Sequence, residues 1–299
     1  MRIVVLGSTG YIGGSVAHAF LEDGHAVSGL VRSPEKAEQL RSRGIEPIPG
    51  TLFDSDIIGS AVRNADAVVN AADSDNPYVV TALLDALRGS GRRLIHTSGS
   101  SIVGDRAGGE PSDFIFDEDT RPAARLEKRG RTAIDDAVLQ AAEEGVHSVV
   151  ICPSMVYGSG RGLHADSVQL PLLARLAREY QAGVHVGAGE NRWSNVHIDD
   201  LVNLYRLALG KIPAGTFLFA ENGEASLRDI AATISRRLGY EGRTMSIPIA
   251  DAIRRVGPEA AEFALASNSR VRARAARAMG WRPQRNDLLS GLETGAHPV

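Results

Sequence analysis

Residues 1–14 read MRIVVLGSTGYIGG, and no other stretch restricts the fold as strongly. Arg2, Ile3, Val4, Val5 and Leu6 make a short β-branched apolar run of the kind a buried parallel strand shows. Gly7, Gly10 and Gly13 follow at three-residue spacing, and Ile12, Val16, Ala19 and Phe20 then share one face of a helix. Strand, glycine turn and helix in that order aim free amide hydrogens from a helix start at a pyrophosphate. Gly7 permits the tight turn, Gly10 lets the backbone approach the phosphates, and Gly13 lets the helix lie close to the strand. Glycine spacing alone would be an ordinary β-α turn; the flanking strand and helix give it meaning.

Strand and helix keep alternating downstream. Residues 25–31 read as a second strand and 34–43 as a helix with Pro34 in its first turn. Strands are expected at 45–48, 65–71, 93–97 and 146–151, with helices at 79–87 and 133–144. This order predicts an α/β, Rossmann-type doubly wound parallel sheet with right-handed crossovers. At 299 residues the chain has room for that unit and a smaller lobe. The expected division is a dinucleotide-binding domain over 1–163, to which 190–223 returns. The substrate lobe, smaller and mixed α/β, then comes from 164–189 and 224–299, where 170–180 and 227–238 have helical periodicity.

Composition excludes several classes. No apolar run approaches a membrane span, and the chain enters a strand at once, so neither membrane anchoring nor a secretion signal is expected. Cys152 is the only cysteine, which rules out an intrachain disulfide and suits the cytoplasm. A net charge of −3 argues against nucleic acid as a partner. Arg270, Arg274 and Arg277, with Arg272 beside them, are expected on one solvated helix face. No histidine spacing suits a metal, and none is expected.

The end of the second strand bears on cofactor choice. NAD-preferring folds place a carboxylate about 20 residues beyond the glycines to hold the ribose hydroxyls. Here the sequence is Leu30, Val31, Arg32, Ser33. Arg32 can pair with a 2′-phosphate and Ser33 can add a hydrogen bond, so NADP(H) is expected in preference to NAD(H).

The motifs together resemble the extended short-chain dehydrogenase/reductase group, the NAD-dependent epimerase/dehydratase family. The likeness covers almost the whole chain. Residues 7–13 (GSTGYIG) resemble its glycine turn, 97–101 (TSGSS) its serine-rich turn, and 117–120 (DEDT) its acidic run. Residues 152–158 (CPSMVYG) are similar to its RPxxVYG segment, 196–201 (VHIDDL) to its VHVDDLA helix start, and 280–283 (GWRP) to its closing LGWxP. Thr51 stands where the family usually has Asp. The resemblance implies cofactor contacts from Gly7, Thr9, Gly10, Tyr11, Ile12, Gly13, Arg32, Ser33, Thr51, Leu52, Ala71, Ala72, Pro153 and Ser154. It also implies a possible homodimer through helices near 79–87 and 133–144.

One family feature is missing. Its hydride chemistry uses a Tyr as acid/base and a Lys four residues on, whose cation favours phenolate. The only lysines are Lys36, Lys128 and Lys211, and none follows a tyrosine at that spacing. Counting from the acidic run puts Glu127 or Lys128 at the tyrosine position and Arg131 or Thr132 at the lysine position. Gly99 takes the serine/threonine position, flanked by Ser98 and Ser100. The remaining catalytic candidates are therefore Ser98, Ser100, Tyr157 and Arg131. His164, Arg192 and His197 are candidates for substrate binding, Arg192 because the family often places a phosphate-pairing arginine there. Asp199 or Asp200 would cap the helix after His197. The irregular segment 100–122 is long enough to be a lid. Two readings follow: an oxidoreductase or epimerase/dehydratase-like enzyme acting on a small polar molecule, or a non-catalytic NADP(H)-responsive sensor or scaffold. Binding of the dinucleotide as a purely structural element is a weaker third.

Overall fold

Five short apolar runs lie side by side as parallel strands in a computed structural model that describes residues 1–299. In chain order these elements are β1 (Arg2–Leu6), α1 (Tyr11–Glu22), β2 (Ala26–Val31), α2 (Pro34–Arg41), β3 (Glu46–Pro49), α3 (Ser55–Arg63), β4 (Ala67–Asn70), α4 (Pro77–Leu87) and β5 (Arg93–Thr97). A turn of 3-10 helix, Leu126–Lys128, leads into α5 (Arg129–Gln140), followed by β6 (His147–Pro153). The helix at 55–63 was not expected from sequence, because its only buried side chains are Ile58 and Val62, and Gly59 interrupts it. Helix α5 starts four residues before the expected span and stops at Gln140, where the chain turns through 141–145 and Gly145 takes a φ of +76°.

After β7 (Met155–Tyr157), α6 (Gln169–Tyr180), β8 (Gly183–Val186), β9 (Arg192–His197) and α7 (Ile198–Gly210), the chain adds a seventh strand, β10 (Thr216–Ala220), to the main sheet. The sheet order is β10-β6-β5-β4-β1-β2-β3, every neighbouring pair parallel. Chain order reverses between β1 and β4, which opens a crevice at the carboxyl ends of those two strands. The expected parallel α/β sheet is therefore present.

The second lobe adds β11 (Glu224–Ser226), α8 (Leu227–Arg237), β12 (Thr244–Ile247) and α9 (Ile249–Ala260). Gly257, with a φ of +81°, and Pro258 break α9 near its end, and a π-helical turn, Ala261–Leu265, follows. The last helices are α10 (Arg274–Ala278) and α11 (Leu288–Thr294). Strands β11, β9 and β7 form a small sheet and β12 pairs with β8. Two apolar clusters result: one around the main sheet, which also takes in Val271, Ala276 and Trp281, and one among α6, β8, α8 and α11.

The arginine stripe differs from expectation. Arg270 precedes α10 in extended chain and pairs with Glu224 at 2.9 Å, while Arg277 pairs with Glu221 at 2.6 Å. A five-residue helix cannot present 270, 274 and 277 on one face. Each arginine meets a carboxylate: Arg270 and Arg272 tie the chain before α10 to Glu224 of β11, while Arg274 and Arg277 of α10 pair with Asp117 and Glu221. The cap of α7 is likewise His197, whose Nδ1 accepts from Asp199 N at 3.1 Å; Asp200 instead accepts from the amides of Gln284 and Arg285. No helix is long and apolar enough to cross a membrane.

Candidate functional site

The glycine turn closes onto β4. Gly7 has a φ of +86°, and a Cβ there would lie 2.4 Å from the Ala71 carbonyl oxygen. A Cβ on Gly13 would lie 2.4 Å from the Gly7 oxygen, so α1 rests against the strand exit. Gly10 precedes α1 with no side-chain cap. The first amides of the helix are therefore free for an anion. Ser8 Oγ is buried without a hydrogen-bond partner. A cradle that any side chain would fill, with bare amides along it, fits a dinucleotide diphosphate.

The other expected cofactor residues gather at the carboxyl ends of neighbouring strands. Arg32, at the end of β2, is exposed and meets no carboxylate. Ser33 caps α2, its Oγ accepting from Lys36 N at 3.3 Å. Beyond β3, Thr51 N donates to Asp54 Oδ2 at 2.6 Å, which sets the loop that carries Leu52. Ala71 and Ala72 follow β4, and Ala72 N donates to Asn70 Oδ1 at 3.4 Å.

A cavity of about 380 Å³ leads from this cleft into the second lobe. Tyr11 and Ile12 stand at its α1 end, and its floor is 98–101 with Arg131 and Ser154. Met155, Leu172, Trp193 and Phe263 make an apolar wall. Arg131 and Glu259 are the charged residues in the lining. Arg131 Nε donates to Asp75 Oδ1 at 2.8 Å, Nη2 donates to Oδ2, and Nη1 donates to Ser101 Oγ at 2.8 Å. The Arg131 hydrogen bond holds the Asp75 carboxyl below its usual range. Two of the five guanidinium N–H groups are left over for a ligand. Ser98 Oγ donates to Asp135 Oδ2 at 2.6 Å, Ser100 and Ser269 share a 2.8 Å hydroxyl pair, and Ser154 Oγ donates to the Ala220 oxygen at 2.9 Å.

Ser98, Ser100 and Arg131 therefore meet at one cavity, together with Tyr11, Ile12, Pro153 and Ser154 from the cofactor set. Tyr157 lies outside it. The ring is buried between His197 and His297 at centroid distances of 5.2 and 4.9 Å, and its hydroxyl donates to Asp287 Oδ1 at 3.3 Å. Burial pushes this phenol above its ordinary pKa. His164 is exposed, His197 is occupied as the α7 cap with its pKa lowered by burial, and Arg192 shares Glu224 with Arg270 and Arg272. None of these three lines the cavity.

Sequence reasoning missed Asp75, Asp135, Glu259, Phe263 and Ser269. Asp135 had a readable signal: it lies four residues after Arg131, on the same helix face. Glu259 and Phe263 arrive from far along the chain, and no local pattern marks them. Lys128 Nζ donates to Glu259, and the Lys128 and Arg125 cations lie 4.6 and 4.1 Å from the Phe263 ring centroid, so this wall is held in place from the 3-10 turn before α5. Segment 100–122 runs back across the second lobe, with Gly109 N donating to the Ala266 oxygen at 3.0 Å and Phe116 bridging to Val271. No group of three or more histidine, cysteine or acidic side chains is placed to hold a metal.

Comparison with known proteins matches residues 3–217 to the NAD dependent epimerase/dehydratase family model. An oxidase of Acremonium sp is 30% identical over 337 residues, taking in 98% of this chain and 95% of its own. A 4-hydroxy-2-methyl-3-oxo-4-farnesyl-3,4-dihydroquinoline-1-oxide ketoreductase of Stigmatella aurantiaca is 26% identical over 266 residues, covering 83% of this chain and 76% of that protein. The structure of dTDP-glucose 4,6-dehydratase from Bacillus anthracis, solved with NAD, superposes with a TM-score of 0.77 at 17% identity, over 98% of this chain and 94% of that one. At that identity the match speaks for the fold alone.

Proposed function

This chain belongs to the NAD-dependent epimerase/dehydratase family, and from that premise we propose that it is an NADP(H)-dependent oxidoreductase that reduces a compact, largely apolar carbonyl compound. The observation that carries this reading is the cavity lining. A nucleotide sugar needs a free cation for its diphosphate, and the only cation in the lining, Arg131, is already closed on Asp75. Arg192, the expected phosphate partner, lies outside the cavity. The same argument turns the small polar substrate expected from sequence toward an apolar one, because Met155, Leu172, Trp193 and Phe263 form the wall. The name of the Stigmatella aurantiaca ketoreductase describes a farnesylated ketone, which agrees with the apolar character of the proposed substrate though not with its compactness.

The bound dinucleotide supplies a hydride at the nicotinamide C4. Residues of this chain do the rest. The bare amides of α1 and the glycine cradle hold the diphosphate, and Arg131 offers its two unused N–H groups to the nicotinamide ribose. Arg32 favours a 2′-phosphate because it is exposed, unpaired and placed at the end of β2, where a carboxylate would select NAD. The lone buried thiol, Cys152, suits a cytoplasmic setting. Exposed Phe53 and Tyr78 beside α4 are where a second copy would pack in a homodimer.

Fluorescence titration tests the cofactor assignment: NADPH should bind more tightly than NADH, and Arg32→Ala should weaken NADPH about tenfold while sparing NADH. Equal weakening of both would overturn the 2′-phosphate role. NADPH oxidation assayed over apolar ketones and nucleotide sugars tests the substrate, with turnover expected for the ketones. Tight NADPH binding with no turnover on either panel would favour the sensor.

A further inference from the structure

A buried polar cluster lies under the cavity floor. Asp135, on α5, is 0% exposed, and its Oδ2 accepts from Ser98 Oγ at 2.6 Å. Its Oδ1 has no hydrogen-bond partner and faces His96 Nε2 at 3.7 Å, which has none either. His96 Nδ1 lies 3.1 Å from Asn70 Nδ2. An amide nitrogen donates, so Nδ1 must accept and the imidazole proton sits on Nε2. That proton points toward Asp135 from beyond hydrogen-bond length. The other groups facing the carboxyl are Cys152 on β6, Arg131 and Asp136 on α5, and Arg121 from the loop before it. Arg131 spends three of its five donors on Asp75 and Ser101 and makes no hydrogen bond to Asp135.

An ionised carboxylate in this position would have one short hydrogen bond and no direct cation, a costly arrangement. Burial lifts Asp135 to about 7 and lowers His96 to about 4. At neutral pH, His96 is uncharged and Asp135 is partly protonated. Ser98, which is hydrogen-bonded to Asp135, also lines the cavity.

We propose that Asp135 stores the proton for the reaction in the cavity and that Ser98 hands it to the substrate, in place of the tyrosine missing from position 127 or 128. This rests on the reading of the cavity as a carbonyl-reducing site. As the carbonyl carbon takes a hydride from the reduced nicotinamide dinucleotide, the C=O π pair moves onto oxygen. That oxygen takes the Ser98 Oγ proton. With Asp135 protonated the 2.6 Å bond runs the other way, Oδ2–H donating to Ser98 Oγ, so Ser98 Oγ takes that proton and the Oδ2–H bond breaks to leave the carboxylate to which Ser98 then donates. The products are an alcohol, the oxidised dinucleotide and an Asp135 carboxylate offset by the nearby Arg131 and Arg121 cations. When the alcohol leaves, water entering the cavity returns a proton through Ser98. Asp135 thus acts through Ser98 and positions the proton, while Ser98 touches the substrate.

Two measurements test this on the full chain. Infrared titration of the unliganded protein should show a protonated carboxyl band that disappears with a midpoint near 7 and is absent from Asp135→Asn. A midpoint in the ordinary carboxylate range would overturn the store. In steady-state reduction of an apolar ketone by NADPH, wild-type kcat should fall above that midpoint. Asp135→Asn should lower kcat at least about tenfold at pH 6, flatten the pH profile, and leave the NADPH Kd within about twofold. An unchanged kcat and profile would overturn the relay. If Asp135→Asn does not fold, Ser98→Ala removes the carrier and should lower kcat in the same way. Absence of wild-type NADPH binding or ketone turnover overturns the carbonyl-reducing reading and the delivery step with it, whereas the infrared band separately decides whether Asp135 holds a proton.

Discussion

Arg131 reaches from the first turn of α5 to Asp75 in the loop after β4, with Nε 2.8 Å from Oδ1. The pairing fixes a cation at one of the two positions, 131 or 132, where the family resemblance implies a lysine, and leaves two N–H groups of a cavity-lining residue unused. Arg131→Met should therefore weaken NADPH about tenfold, the cost of a charge-assisted hydrogen bond or two. Arg131→Lys should recover only part of this, because an ammonium cannot grip Asp75 and Ser101 together. Titration of the two variants checks it; equal Kd values for Arg131→Met and wild type would remove Arg131 from the cofactor site.

Two glycines with similar backbone separate conformation from close approach. Gly24 has a φ of +80° and open space around it, whereas Gly7 has a φ of +86° and the Ala71 carbonyl where a Cβ would stand. Gly24→Ala should cost about 1 kcal/mol, the ordinary penalty of a left-handed alanine. Gly7→Ala should cost roughly 3 kcal/mol or more, since β1 and β4 must part, and should abolish NADPH binding. Urea denaturation of both variants checks the pair. Similar losses would mean that the turn is not held by that contact.

What could be read in the sequence was whatever repeats or punctuates locally. The glycine turn, the β-branched strands and the end of β2 are short-range patterns from which Gly7 and Arg32 can be read, whereas Arg131 comes from the family resemblance, by counting from the acidic run. Tyr157 looked available because it sits in a glycine-rich loop, but its surroundings come from His297 and Asp287, more than a hundred residues away. The arginines around 270 looked like one helix face because their spacing is helical. The pull of Glu224 and Glu221 on separate elements is a tertiary effect that spacing cannot carry. The apolar wall at Phe263 depends on the break at Gly257 and Pro258 and the π-helical turn after it, a rare geometry with no periodic signature.

Stability should depend on pH in two opposed steps. Asp135 is raised to about 7 in the fold, above its unfolded value of about 4. Its contribution is complete below about pH 4 and is lost as pH rises through the folded pKa. His96 is lowered to about 4, so its contribution is present above its unfolded pKa of about 6.5 and is lost as pH falls toward 4. Asp135→Asn removes the first step alone. The variant should gain on wild type progressively from pH 4 to 8, by on the order of 4 kcal/mol at most. Chemical denaturation at four pH values across that window measures it. A constant difference between the two proteins would show that Asp135 titrates alike in both states.

Phe263 should set the size of the substrate. Its ring is 7% exposed, faces the cavity, and is held from behind by the Arg125 and Lys128 cations at 4.1 and 4.6 Å. Phe263→Ala removes a wall rather than a chemical group, so KM for a compact apolar ketone should rise about tenfold while kcat changes little. Bulkier ketones should gain relative to compact ones. Phe263→Leu should lie between, since it keeps apolar bulk without the aromatic face for the two cations. The NADPH Kd, read by fluorescence on the same preparations, should hold within about twofold, because the glycine cradle lies at the other end of the cavity. A fall in kcat with KM unchanged would place Phe263 against the reacting atoms instead of around the substrate's apolar body.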